Sequence, residues 1–125
     1  MKNASKIAKR SKNKGNAWER KVYKDLREID PSVKRSLGSG SSDEPADISL
    51  REYAIECKRY KRITLKMICN WMNKLSEEIK GQKGKIPLIV MKEDYKPPQV
   101  AFKTKKEPLS IQDYDNWLEE LGETS

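Results

Sequence analysis

The sequence predicts an α/β fold, with one mixed central β-sheet flanked by α-helices. Two observations predict it: segments of helical period alternate with short apolar or alternating stretches, and they follow the order helix, strands, helix, strand, strand, helix. A third, the length of 125 residues, suits a single domain with a modest core, and no internal repeat divides it.

The first segment stands apart. Lys2, Lys6, Lys9, Arg10, Lys12 and Lys14 precede any acidic residue, and the stretch has no apolar periodicity. Residues 1–14 are expected to be a flexible basic arm that orders on a phosphate backbone, or else a solubilising tail, ahead of a single domain at 15–125. Asn16 is the expected N-cap of a helix ending near Ile29, because Asp30 precedes Pro31 and so avoids helical angles. Counting Ala17 as zero, Trp18, Ile29, Val22, Leu26 and Tyr23 fall at about 100°, 120°, 140°, 180° and 240° on the helical wheel, and Glu19 at about 200°. A carboxylate inside the apolar arc is costly unless it is paired or binds metal, so Glu19 is a candidate site residue; an edge salt bridge is the alternative.

Ser32 to Leu37 is an expected short strand, followed by the loop Gly38-Ser39-Gly40-Ser41-Ser42 and Asp43-Glu44-Pro45. This loop either approaches a phosphate or merely links. A hairpin folded between Arg51 and Glu52 then pairs Leu50 with Tyr53, Ile48 with Ile55 and Asp47 with Glu56, with Lys58 two residues further along. Ile55 and Cys57 alternate with Ala54, Glu56 and Lys58, as in a half-buried strand.

Thr64 is the expected cap of a helix to about Ile79, in which Leu65, Ile68, Met72, Leu75 and Ile79 recur at three- and four-residue intervals. Residues 81–85 end it. Pro87 to Met91 reads as a buried strand, and Val100 to Lys103 as another after Lys96-Pro97-Pro98. Ser110 with Asp113 opens a last helix whose apolar residues, Ile111, Tyr114, Trp117, Leu118 and Leu121, serve the core or an interface between two copies.

Composition narrows the chemistry. A net charge of +8, from 27 Lys and Arg against 19 Asp and Glu, points to a polyanion, most commonly nucleic acid. No apolar run approaches a membrane span and no secretory signal precedes the domain, so no membrane partner and a cytoplasmic, nucleoid-associated location are expected. The absence of histidine excludes histidine-metal nucleases, H-E-x-x-H hydrolases and Ser-His-Asp triads. Cys57 and Cys69 lack the spacing of a zinc ligand set and are expected to be reduced core residues.

Phosphodiester hydrolysis without histidine needs a hard cation. Asp47 facing Glu56 is a like-charge pair that a shared divalent ion relieves; magnesium suits it, with manganese able to substitute. The carbonyl of Cys57 adds an oxygen ligand, and Glu19 completes the metal site directly or through water. Lys58 orients the attacking water or stabilises charge on the transition state.

Gly15-x-x-x-Glu19-Arg20, Gly38-Ser39-Gly40, Ala46-Asp47-Ile48 and Ala54-Ile55-Glu56-Cys57-Lys58 together resemble the archaeal-type Holliday junction resolvases, a branch of the PD-(D/E)XK nuclease superfamily. The likeness covers Gly15 to Phe102. It implies a restriction-endonuclease-like core, magnesium-dependent cleavage of four-way DNA junctions and a symmetric homodimer. The family's helix glutamate falls on Glu19, its metal aspartate on Asp47, its E-x-K pair on Glu56 and Lys58, and its loop serine on Ser39 or Ser41. The sequence departs in having Pro45-Ala46-Asp47 for the usual Pro-Asp pair and a short spacing from aspartate to glutamate. Lys9, Arg10, Lys12, Lys14, Arg35, Arg59, Lys61 and Arg62 are the expected DNA contacts. The rival readings are a repair or restriction-type endonuclease acting on other DNA, and a non-catalytic DNA-binding protein. The motifs leave open whether an archaeal or a viral genome encodes the chain.

Overall fold

The computed structural model describes residues 2–36, 46–104, 106 and 108–123, with side chains from residue 14 onward. The order of elements is α1 (Lys2–Ile29), β1 (Lys34–Arg35), β2 (Ile48–Leu50), β3 (Tyr53–Tyr60), α2 (Leu65–Glu78), β4 (Ile86–Glu93), β5 (Gln99–Phe102), β6 (Ser110–Asp113) and α3 (Tyr114–Glu123). The six strands form one sheet in that same order. Only β3 and β4 run parallel, and α2 makes the crossover that a parallel pair requires. All other neighbours are antiparallel, so the sheet is mixed.

Helices cover both faces. Trp18, Val22 and Leu26 of α1 join Tyr114, Trp117 and Leu121 of α3 over Ile48, Ile55, Val90 and Val100. On the other face Ile68, Met72 and Leu75 of α2, with Ile79, lie over Ala54, Ile89 and Met91. Strand β4, sandwiched between the layers, is buried from Pro87 to Met91, which explains its unbroken apolar run. Trp18 is fixed within its layer by an indole N–H that donates to the Val90 carbonyl at 3.1 Å, and by an edge contact with the Tyr114 ring.

The hairpin has the expected register, Ile48 opposite Ile55 and Leu50 opposite Tyr53. Arg51 sits at its tip with φ 51°, and its guanidinium donates to Asp30 Oδ2 at 3.1 Å and to the Leu121 carbonyl at 3.2 Å. That one side chain ties the hairpin to the ends of α1 and α3. Thr64 caps α2 as expected, accepting from the Met67 N–H.

Five expectations give way. α1 begins at Lys2, so Asn16 lies inside the helix and the segment expected as a flexible arm has helical backbone. Residues 2–14 contain neither proline nor glycine and are rich in lysine, a good helix former, so a helix docked by its second half extends backward at one hydrogen bond per residue. Ser110–Asp113 is a strand, not the first turn of a helix. It completes the edge of β5, and α3 starts directly after it at Tyr114, where Asp113 Oδ1 accepts from the Asn116 N–H at 3.1 Å. Cys69, expected in the core, is exposed, because it falls off the stripe that Ile68 and Met72 bury. Leu65, in the same expected stripe, is also exposed, at the first turn of α2. The apolar residues of α3 serve the core: Trp117 and Leu121 are buried there. No helix among the described residues is long and apolar enough to cross a membrane.

Candidate active site

Asp47 precedes β2 by one residue and lies just beyond the last ladder pair, Ile48 with Ile55. Its carboxylate accepts the Cys57 N–H at 2.9 Å, while its own carbonyl accepts the Ser36 N–H at 2.8 Å. The first bond holds the aspartate's side chain against β3 where the hairpin ladder stops, and the second ties its backbone to the end of β1. Glu56 and Lys58 project from β3 on one face, two residues apart, with Lys58 Nζ 3.4 Å from Glu56 Oε2. The side chains of Glu56 and Lys58 are 18% and 26% exposed, so neither is an ordinary surface charge.

Desolvation raises the pKa of Asp47, and the Cys57 N–H and the Lys58 and Arg35 charges offset that only in part. Glu56 is also raised, by burial first and by the charge of Asp47 second, against the pull of Lys58. Two half-buried carboxylates, the charge of Asp47 disfavouring ionisation of Glu56, could hold a cation, and a donor set made only of oxygen suits a hard one such as magnesium. The Cys57 backbone lies against Asp47, whereas its thiol packs toward the core and is pushed well up by burial.

Glu19 reaches the same region from α1. Its side chain is 17% exposed and its carboxyl is raised by burial, lowered by the bond from Arg35 and raised again by the charge of Asp47. Arg35 Nε donates to Glu19 Oε1 at 3.0 Å. The inward position of the glutamate and its salt bridge are therefore both present, and two residues given separate roles from sequence are partners. Among the described residues no three acidic or cysteine side chains stand close enough to chelate one ion as placed.

The remaining candidates divide. Ser39 and Ser41 lie outside the described residues, as do the side chains of Lys9, Arg10 and Lys12. Lys61 and Arg62, directly after β3, are exposed. Arg59 Nη2 is 2.8 Å from Asp94 Oδ1, and the exposed Lys14 stands 3.7 Å from Asp94 Oδ2, so both cations share one carboxylate.

Sequence reading missed what α2 contributes. Trp71 lies under the Lys58 ammonium, 5.6 Å from ring centroid to Nζ, and the charge of Glu78 reaches Glu56. A signal existed: Trp71 is three residues beyond Ile68 and seven before Glu78, so both share the side of α2 nearest the sheet end carrying Glu56.

Residues 10–120 match the family model described as "Phage putative PDDEXK endonuclease". Among solved structures, Hjc, a Holliday junction resolvase from the archaeal hyperthermophile Archaeoglobus fulgidus, is 19% identical. The alignment covers 81% of this chain and 89% of that one, with a TM-score of 0.48. No curated protein matches.

Proposed function

The chain belongs to the family of phage PDDEXK endonucleases, and from that premise we propose that it resolves four-way DNA junctions by magnesium-dependent hydrolysis of the phosphodiester backbone, acting as a homodimer. The observation that carries the hydrolytic part is the convergence of Asp47 and Glu56, each raised by burial, with Lys58 Nζ 3.4 Å from Glu56. Asp47, Glu56 and the Cys57 carbonyl would hold magnesium, with manganese as a substitute. When bound, the ion polarises the phosphoryl oxygen and acidifies a water. Lys58 holds a positive charge where negative charge builds on the phosphorus centre, and orients the attacking water. Glu19, bonded to Arg35, supports this end of the sheet and completes the site when that pair opens.

The junction as substrate is supported by the four motifs between Gly15 and Lys58 and by the basic composition. A homodimer fits because a junction has approximate two-fold symmetry, needs two related cuts, and meets one such site per chain. The test compares a four-way junction with a linear duplex of identical arm sequence, with and without magnesium. Paired cuts on opposing strands of the junction, dependent on the ion, are expected. Preference for the linear duplex would reject the resolvase reading in favour of a restriction or repair type of enzyme. No cleavage of either DNA in magnesium or manganese would leave a non-catalytic DNA-binding protein.

A further inference from the structure

We propose that Trp71 is a positioning residue whose indole face holds the Lys58 ammonium beside Glu56. The inference rests on the nuclease reading and adds to it a residue on a different element. A lysine side chain rotates about four bonds and loses much rotamer freedom when fixed, so an ammonium that must act at one place needs something to hold it. Glu56, 3.4 Å away, cannot do this alone, since the same carboxylate is the proposed ion ligand. The Trp71 ring makes no such double commitment. Its centroid lies 5.6 Å from Lys58 Nζ, within the range where the negative face of an indole attracts a cation, and tryptophan is the strongest side chain in that role.

The ring is itself anchored. It packs against the core beneath α2, and the Tyr60 ring tilts against it with centroids 5.2 Å apart at 31°. Helix α2 is fixed at its start by the Thr64 cap. The chain of contacts thus runs from the core under α2 through Trp71, flanked by the exposed Tyr60, to a half-buried charge at the candidate site.

The experiment compares W71L, which keeps apolar bulk but removes the aromatic face, with W71F, which keeps a weaker face, in junction cleavage by the full chain in magnesium. W71L is expected to lower kcat about tenfold with KM changed by less than about twofold, whereas W71F retains at least about a third of kcat. In NMR spectra the Lys58 ε-methylene protons, identified by their disappearance in K58A, are expected upfield through the ring current in the wild type, and shifted back in W71L. The proposal is overturned if W71L cleaves within about twofold of wild type, or if those protons resonate at the solvated-lysine position in the wild type. It is also overturned if both variants lose rate equally and only in proportion to their loss of Tm. A wild type that cuts no DNA overturns the nuclease reading and this role with it. That outcome differs from failure of the role alone, in which wild type and W71L cut equally well.

Discussion

Under the proposed function, Asp47 and Glu56 are the residues at which stability and activity pull apart. Burial raises both pKa values, so in the metal-free protein the ionised pair is a destabilising feature of the folded state. A carboxyl whose pKa is higher folded than unfolded adds stability below its unfolded pKa, and that contribution is lost as pH rises through the folded value. Asp47→Asn, whose amide oxygen still accepts the Cys57 N–H, is therefore expected to raise the Tm of the metal-free protein by roughly 4 °C, or about 1 kcal/mol. The gain should shrink as pH is lowered through the folded value, below which the wild-type carboxyl is also protonated. The same variant should lose about a hundred- to a thousandfold in cleavage while binding junction DNA normally in calcium, which supports binding without hydrolysis. Thermal melts across pH, run beside cleavage assays, check both halves; a destabilised variant at pH 7, or one that still cuts, would remove Asp47 from the site.

At the scale of elements, α3 depends on a residue first read as part of the helix. Asp113 belongs to β6 and caps α3 through the Asn116 N–H, so Asp113→Ala is expected to cost about 1 kcal/mol in urea denaturation. If α3 instead began at Ser110, the substitution would fall at the end of its first turn and cost a few tenths. The contrast shows what was legible in the sequence. The hairpin register could be read because a two-residue turn leaves one pairing consistent with alternation, and Ile48, Leu50, Tyr53 and Ile55 fall where that pairing puts them. The Thr64 cap and the α2 stripe could be read because local chemistry sets them. β6 could not, since four residues with Ile111 turned outward give no periodic signal and the strand exists only because β5 offers an edge. The start of α1 was missed because helix propagation needs no apolar face. The Glu19 bond to Arg35 joins residues sixteen apart on different elements, and Trp71 under Lys58 is equally non-local, so neither follows from spacing alone.

Across the whole molecule, the net charge of +8 states that polyanions are attracted but not which cations meet them. The ion pairs discriminate. Arg59 already faces Asp94 at 2.8 Å and its side chain is only 23% exposed, whereas Lys61 and Arg62 are exposed on the segment that leaves β3 beside Lys58. A cation that neutralises a phosphate releases condensed counterions, and each such contact on duplex DNA contributes about 0.9 to the slope of log affinity against log salt. Lys61→Ala and Arg62→Ala are therefore each expected to flatten the slope for junction binding by about 0.9, with little change in Tm. Arg59→Ala should behave oppositely, because among the described residues it leaves the half-buried Asp94 paired with the more distant Lys14 alone and so lowers stability more than it alters the slope. Binding titrations in calcium between about 50 and 200 mM salt separate the two patterns. An unchanged slope for Lys61→Ala and Arg62→Ala would move the DNA away from the exit of β3, and with it the expectation that the scissile phosphate reaches Lys58.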